Sequence, residues 1–143
     1  MMTMMDGFNK FIGIKHYFGE SSFDGCDCIG LCRLFYKEHG WPQTFTDDEP
    51  EPVTKENYAE PRMWARLYRY LLKNFTRVDY DDLDYGDVVV MNFDGDEHLG
   101  IYLEYGKVLG MQVPTVYGVS QSTIYPREWW TPAFKYGFRR KKQ

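Results

Sequence analysis

After Asn74 the apolar residues of this chain stop recurring at helical spacing and begin recurring at strand spacing, and that change of period limits the folds open to it. Two helical stretches precede it. Cys28, Leu31, Cys32 and Phe35 recur every three or four residues, Asp27 stands before them as an N-cap, and Gly40 and Pro42 end the pattern. This predicts a helix over 28–39. Pro61 suits a helix start, and Met63, Trp64, Leu67, Leu71 and Leu72 give one apolar side to a second helix over 62–74. Strand-like runs follow: "DVVVMNF" (87–93) is nearly continuous in apolar residues, "HLGIYLE" (98–104) alternates, and "KVLGMQV" (107–113) alternates less cleanly. "FKYGFRR" (134–140) offers a last strand. Helices first and short strands afterwards predict an α+β domain with a mainly antiparallel sheet.

A length of 143 residues fits one domain, 1–143, and so one active site. Residues 43–60, acidic and proline-bearing with no apolar period, read as a long surface loop. A composition 43% apolar and 18% aromatic excludes general disorder, and a net charge of −4 excludes general nucleic-acid binding, which needs a basic surface. No apolar run is long enough to span a bilayer, and "MMTMMDGFNKF" lacks the pattern of a secretory signal. The expectation is a protein kept in the cytoplasm, or one that leaves by a route needing no signal.

Cys26, Cys28 and Cys32 are the chain's three cysteines, and they crowd into "DGCDCIGLC". Zinc would want a second ligand pair that the sequence does not supply, and a redox pair would want C-x-x-C, so neither a metal nor a cofactor is expected. Cys26 and Cys32 read as small buried hydrophobes. Cys28 falls in the first helical turn, where the helix dipole and free backbone N–H groups favour a thiolate. Spacing alone leaves it either a nucleophile or a buried structural cysteine.

A cysteine nucleophile needs a base, and there are three histidines. His39 sits at the end of the cysteine helix, where a capping role is the simpler one. His16 lies in the run-in to Cys28 and could touch substrate or solvent. His98 opens a strand after the turn "DGDE", as a base or as an exposed strand-end residue. Trp129 and Trp130 are expected in the core.

Taken together, these segments resemble the NlpC/P60 cysteine peptidases, papain-like cell-wall hydrolases. The nucleophile motif stands here as "DCIGL", the strand pair as "YGDVVVMNF" and "HLGIYL", the glycine and aromatic approach as "GIKHYFGESSFDG", and the last strand as "YGFRR". Residues 41–61 then look like an insertion. The resemblance implies Cys28 as nucleophile and His98 as general base. A third, polar group usually stands on the following strand, but Gly110 falls there; Gln112, on the same strand face, is the candidate for orienting the imidazole. His16 takes the place of a Tyr that shapes the oxyanion site, with Tyr17 beside it. Asp27 and Ile29 flank the nucleophile, Ile29 through its backbone N–H. Glu20, Asp24 and Arg33 are candidates for contact with a charged substrate.

The function so implied is cleavage of peptidoglycan stem peptide, most commonly between D-glutamate and a diamino acid, with the enzyme carried to the wall in a bacteriophage tail among other tail proteins. Two alternatives share the fold. One is a structural or assembly protein of the tail that no longer cleaves, motivated by Gly110; the other is an amidase or acyltransferase using the same Cys–His pair.

Overall fold

A computed structural model describes residues 9–111 and 120–141. Helix α1 covers Cys28–Glu38, with Asp27 as its N-cap and His39 as its C-cap, as the spacing predicts. A small hairpin, β1 (Ser21–Ser22) and β2 (Gly25–Cys26), leads into it. Helix α2 (Pro61–Asn74) starts on its proline. Then come β3 (Phe75–Val78), β4 (Val88–Phe93), β5 (Asp96–Tyr102), β6 (Val108–Met111) and β7 (Ser122–Tyr125). The short helix α3 (Arg127–Trp130) and strand β8 (Phe134–Arg140) follow. Six strands form one antiparallel sheet in the order β3-β8-β4-β5-β6-β7. The expected α+β architecture is the one observed.

Strand alternation gives the sheet two apolar faces. Val88 and Val90 of β4 join Leu99, Ile101 and Leu109 beneath α1, which contributes Leu31, Cys32, Phe35 and Tyr36. Cys26 and Cys32 are both fully buried in this layer, acting as the small hydrophobes expected. On the opposite face Val89, Met91, Val108, Tyr125 and Trp130 form a second cluster. Here the structure corrects one expectation. Trp130 is fully buried and its indole N–H donates to the Gly106 carbonyl at 2.7 Å, but Trp129 is 45% exposed.

The acidic loop is irregular, yet it is tied down. Arg66 of α2 grips the Asp47 carboxylate through two nitrogens, at 2.7 and 2.9 Å, and Arg62 pairs with Glu51. Phe45 is buried and its N–H donates to the Tyr70 hydroxyl at 2.8 Å. Arg33 of α1 donates to the carbonyls of Thr44 and Phe45 and to the Ser21 hydroxyl, so this candidate substrate contact is a brace between hairpin, helix and loop.

One more connection positions the site. Residues 11–16 lie between β2 and β7: Ser122 exchanges backbone hydrogen bonds with Gly13 and Ile14, and its side-chain oxygen accepts from the Ile14 N–H at 2.8 Å. The Cys26 N–H donates to the Lys15 carbonyl and the His16 N–H to that of Ser120. The approach to the cysteine helix is thereby fastened to the far end of the sheet.

Candidate active site

The first turn of α1 is fixed by Asp27. One carboxylate oxygen accepts from the Gly30 N–H at 2.6 Å, the other from the Gly19 N–H at 2.7 Å, so a single side chain caps the helix and closes the turn before it. Both oxygens are used structurally. Gly30 is required by the same packing, since a Cβ there would lie 1.9 Å from the Glu20 carbonyl oxygen. The "DCIGL" motif is thus a helix start pressed against its own lead-in.

Cys28 remains partly exposed while its thiol faces into the protein. Burial, and after it the Asp27 charge, push the thiol up to about 11, against the pull of the backbone N–H groups of Leu99, Ile29 and Cys28 itself. This reverses the expectation of a lowered value. Free amides at the helix start do favour the thiolate, but they are outweighed by loss of water and by the carboxylate that caps the same turn. The amides also locate the sulfur: it meets the backbone of β5 at Leu99, one peptide from His98. The backbone N–H of Ile29 is directed at the same sulfur, and converging amides of this kind are suited to receive an oxyanion.

His98 is half-buried on β5 with its ring 5.6 Å from that of Phe93. Burial lowers its pKa, opposed by the charges of Asp96 and Glu97. The pair therefore rests as neutral thiol and neutral imidazole near pH 7. That is the state in which imidazole can act as a general base.

The other candidates separate clearly. His39 caps α1, its Nδ1 2.7 Å from the Phe35 carbonyl and its Nε2 2.8 Å from the Tyr85 hydroxyl, so both ring nitrogens are engaged. His16 is exposed and bridges to Cys26 through its backbone. Tyr17 is 54% exposed, and its ring lies over Gly25. Gln112 lies outside the described residues. A cleft of about 500 Å³ between the acidic loop and α2, lined by residues such as Gln43, Asp47, Arg69 and Lys141, includes neither Cys28 nor His98. Missed by sequence reasoning was Tyr125, which stands against Gly110 where the third group was expected.

A raised thiol has a direct signature. At pH 7 iodoacetamide should label Cys28 more slowly than free cysteine, with the rate climbing about tenfold per pH unit toward about 11, followed by mass spectrometry of the labelled peptide. A rate that stays flat through neutral pH would instead reveal a thiolate–imidazolium pair.

Comparison with known proteins supplies the frame for this geometry. Residues 13–137 match the model of the NlpC/P60 family. No curated protein sequence matches the chain. Among solved structures, NlpC1 from Trichomonas vaginalis is similar with a TM-score of 0.60 at 18% identity, over 96% of this chain and 42% of that one. The P60 domain of antigen MAP1204 from M. avium subspecies paratuberculosis gives 0.58 at 19% identity, covering 96% and 90%. The NlpC/p60 domain of the peptidoglycan hydrolase SagA gives 0.54 at 18%, covering 94% of each. This chain spans less than half the length of the two Trichomonas proteins it resembles. With the family match running from the approach to the cysteine helix through to the last strand, the chain belongs to the NlpC/P60 family.

Proposed function

We propose that this domain is a cysteine peptidase that cuts peptidoglycan stem peptides. One observation carries the reading: the capped start of α1 brings the Cys28 thiol to the β5 backbone beside His98, among converging N–H groups. Cys28 attacks the peptide carbonyl as His98 takes its proton, the amides receive the oxyanion, and the protonated imidazole passes the proton to the leaving amine. Water then attacks the thioester with His98 again as base, releasing the acid and restoring the thiol. The SagA domain, part of a peptidoglycan hydrolase, supports the substrate class through its shared fold.

The finer parts of the reading are cleavage between D-glutamate and a diamino acid, and delivery by a phage tail. Both draw their support from the sequence resemblance. A non-cleaving assembly protein is the second reading, favoured by Gly110 and by the raised thiol.

Purified protein incubated with bacterial sacculi, beside a Cys28→Ala control, decides between them by mass spectrometry of soluble products. Stem-peptide fragments absent from the control are expected, and their ends name the bond. Fragments released equally by both proteins, or by neither, would sink the peptidase reading; transfer products instead of free acids would point to an acyltransferase.

A further inference from the structure

Gly110 has no side chain to offer the dyad, and a neighbour keeps it so. A Cβ at position 110 would lie 2.9 Å from two ring carbons of Tyr125 and 3.1 Å from its hydroxyl oxygen. Tyr125 stands on β7, which pairs with β6 through Gly110↔Thr123 and Val108↔Tyr125. Its hydroxyl oxygen therefore occupies the space into which a side chain at 110 would project.

That space adjoins the dyad from both sides. Gly110 pairs with Gly100, which follows His98 by two residues and shares its face of β5. Phe93 connects the rings of His98 and Tyr125, at 5.6 and 6.2 Å, and Trp129 packs edge-on against Tyr125 at 4.4 Å. On the other side, burial keeps the phenol protonated, and Cys28 is placed so that a thiolate there would act in the same direction. That proton is directed to the Met111 carbonyl. What the hydroxyl has left for the site is a lone pair.

We propose that Tyr125 supplies the third group of the dyad from the neighbouring strand, as a positioning residue whose hydroxyl oxygen accepts from the His98 ring N–H. The other ring nitrogen is then left unprotonated and faces the thiol. This rests on Cys28 and His98 being the catalytic pair. A neutral acceptor selects the tautomer, as a carboxylate does in a catalytic triad, while favouring the imidazolium less. The negative charges near the ring are those of Asp96 and Glu97 on its own strand; from α1 comes Cys28, and from β7 the neutral phenol.

Tyr125→Phe keeps the ring and its packing and removes only the oxygen. Nitrogen-15 NMR of His98 should show one dominant neutral tautomer in the parent and a mixture in the variant, with the imidazole titrating at lower pH. In parallel kcat/KM should fall about tenfold or more through kcat, with KM held. Tyr125→Ala opens the space at 110, so adding Gly110→His to it should recover activity over Tyr125→Ala alone. An unchanged tautomer and titration in Tyr125→Phe, with only the melting temperature lowered, would make Tyr125 a packing residue and overturn the proposal. The NMR result needs no substrate, so failure of the parent to cut sacculi would refute the peptidase reading separately.

Discussion

Exchange of His98 for Gln is expected to lower kcat/KM at pH 7 by about 10³-fold or more while the melting temperature holds. The size follows from the thiol. A group held near 11 ionises at about one part in ten thousand at pH 7, so without a base to take the proton during attack almost none of the nucleophile is competent. No other histidine can substitute: His39 has both ring nitrogens engaged at the far end of α1, and His16 is turned to solvent. The variant's rate should then climb about tenfold per pH unit in alkali, where hydroxide removes the proton instead. The parent should gain little above neutral pH, because its imidazole is already unprotonated there: burial has moved that titration below its ordinary range. Rate profiles of the two proteins on one stem-peptide substrate provide the check, and parallel profiles would exclude His98 as the base.

Gly30→Ala is expected to have the largest effect on stability, a loss of about 3–5 kcal/mol, seen as a drop in melting temperature of roughly 10–20 °C. In an ordinary helix this exchange is favourable, since Ala has the higher propensity. Here the added carbon would meet the Glu20 carbonyl oxygen at 1.9 Å and the Asp27 carboxylate at 3.0 Å. Neither neighbour can turn aside. The carbonyl belongs to backbone, and the carboxylate holds two N–H groups at 2.6 and 2.7 Å. Relief requires the helix start to lift away, which breaks the cap and displaces Cys28, so residual folded protein should also be inactive. Thermal unfolding of the purified variant measures this, and a melting point within about two degrees of the parent would refute the close approach.

What could be read from the sequence was whatever has a period or a stop signal. Helix α1 begins at Cys28 and helix α2 at Pro61, the latter one residue ahead of the spacing; strands β4, β6 and β8 fall within the predicted segments, and β5 begins two residues ahead of its own, at Asp96. Strand β3, "FTRV", buries only its first residue fully, and β7, "STIY", buries only its two ends, so neither shows a clean alternation. Strand β3 gains its place from β8, far along the chain, and β7 from pairing with β6 and from the bonds of Ser122 to Gly13 and Ile14. Pairing also hid Tyr125, which meets Gly110 only through the register of β6 with β7. Cys28 was legible as a helix-start thiol, but its direction of titration was not. Spacing reports the dipole, whereas burial depends on how the sheet closes over the sulfur.

The fastening of residues 11–16 to β7 bears on the order in which the protein becomes whole. The bond from the Ile14 N–H to Ser122 spans 108 residues, and that from the Ser122 hydroxyl to Phe11 spans 111. Contacts of such separation form late, after the entropy of closing a long loop has been met. On a ribosome they must wait until β7 has emerged. The cysteine helix is translated before β7, yet its approach segment can lock only once β7 has followed, so until then a nascent chain carries its nucleophile without the seat that the nucleophile requires.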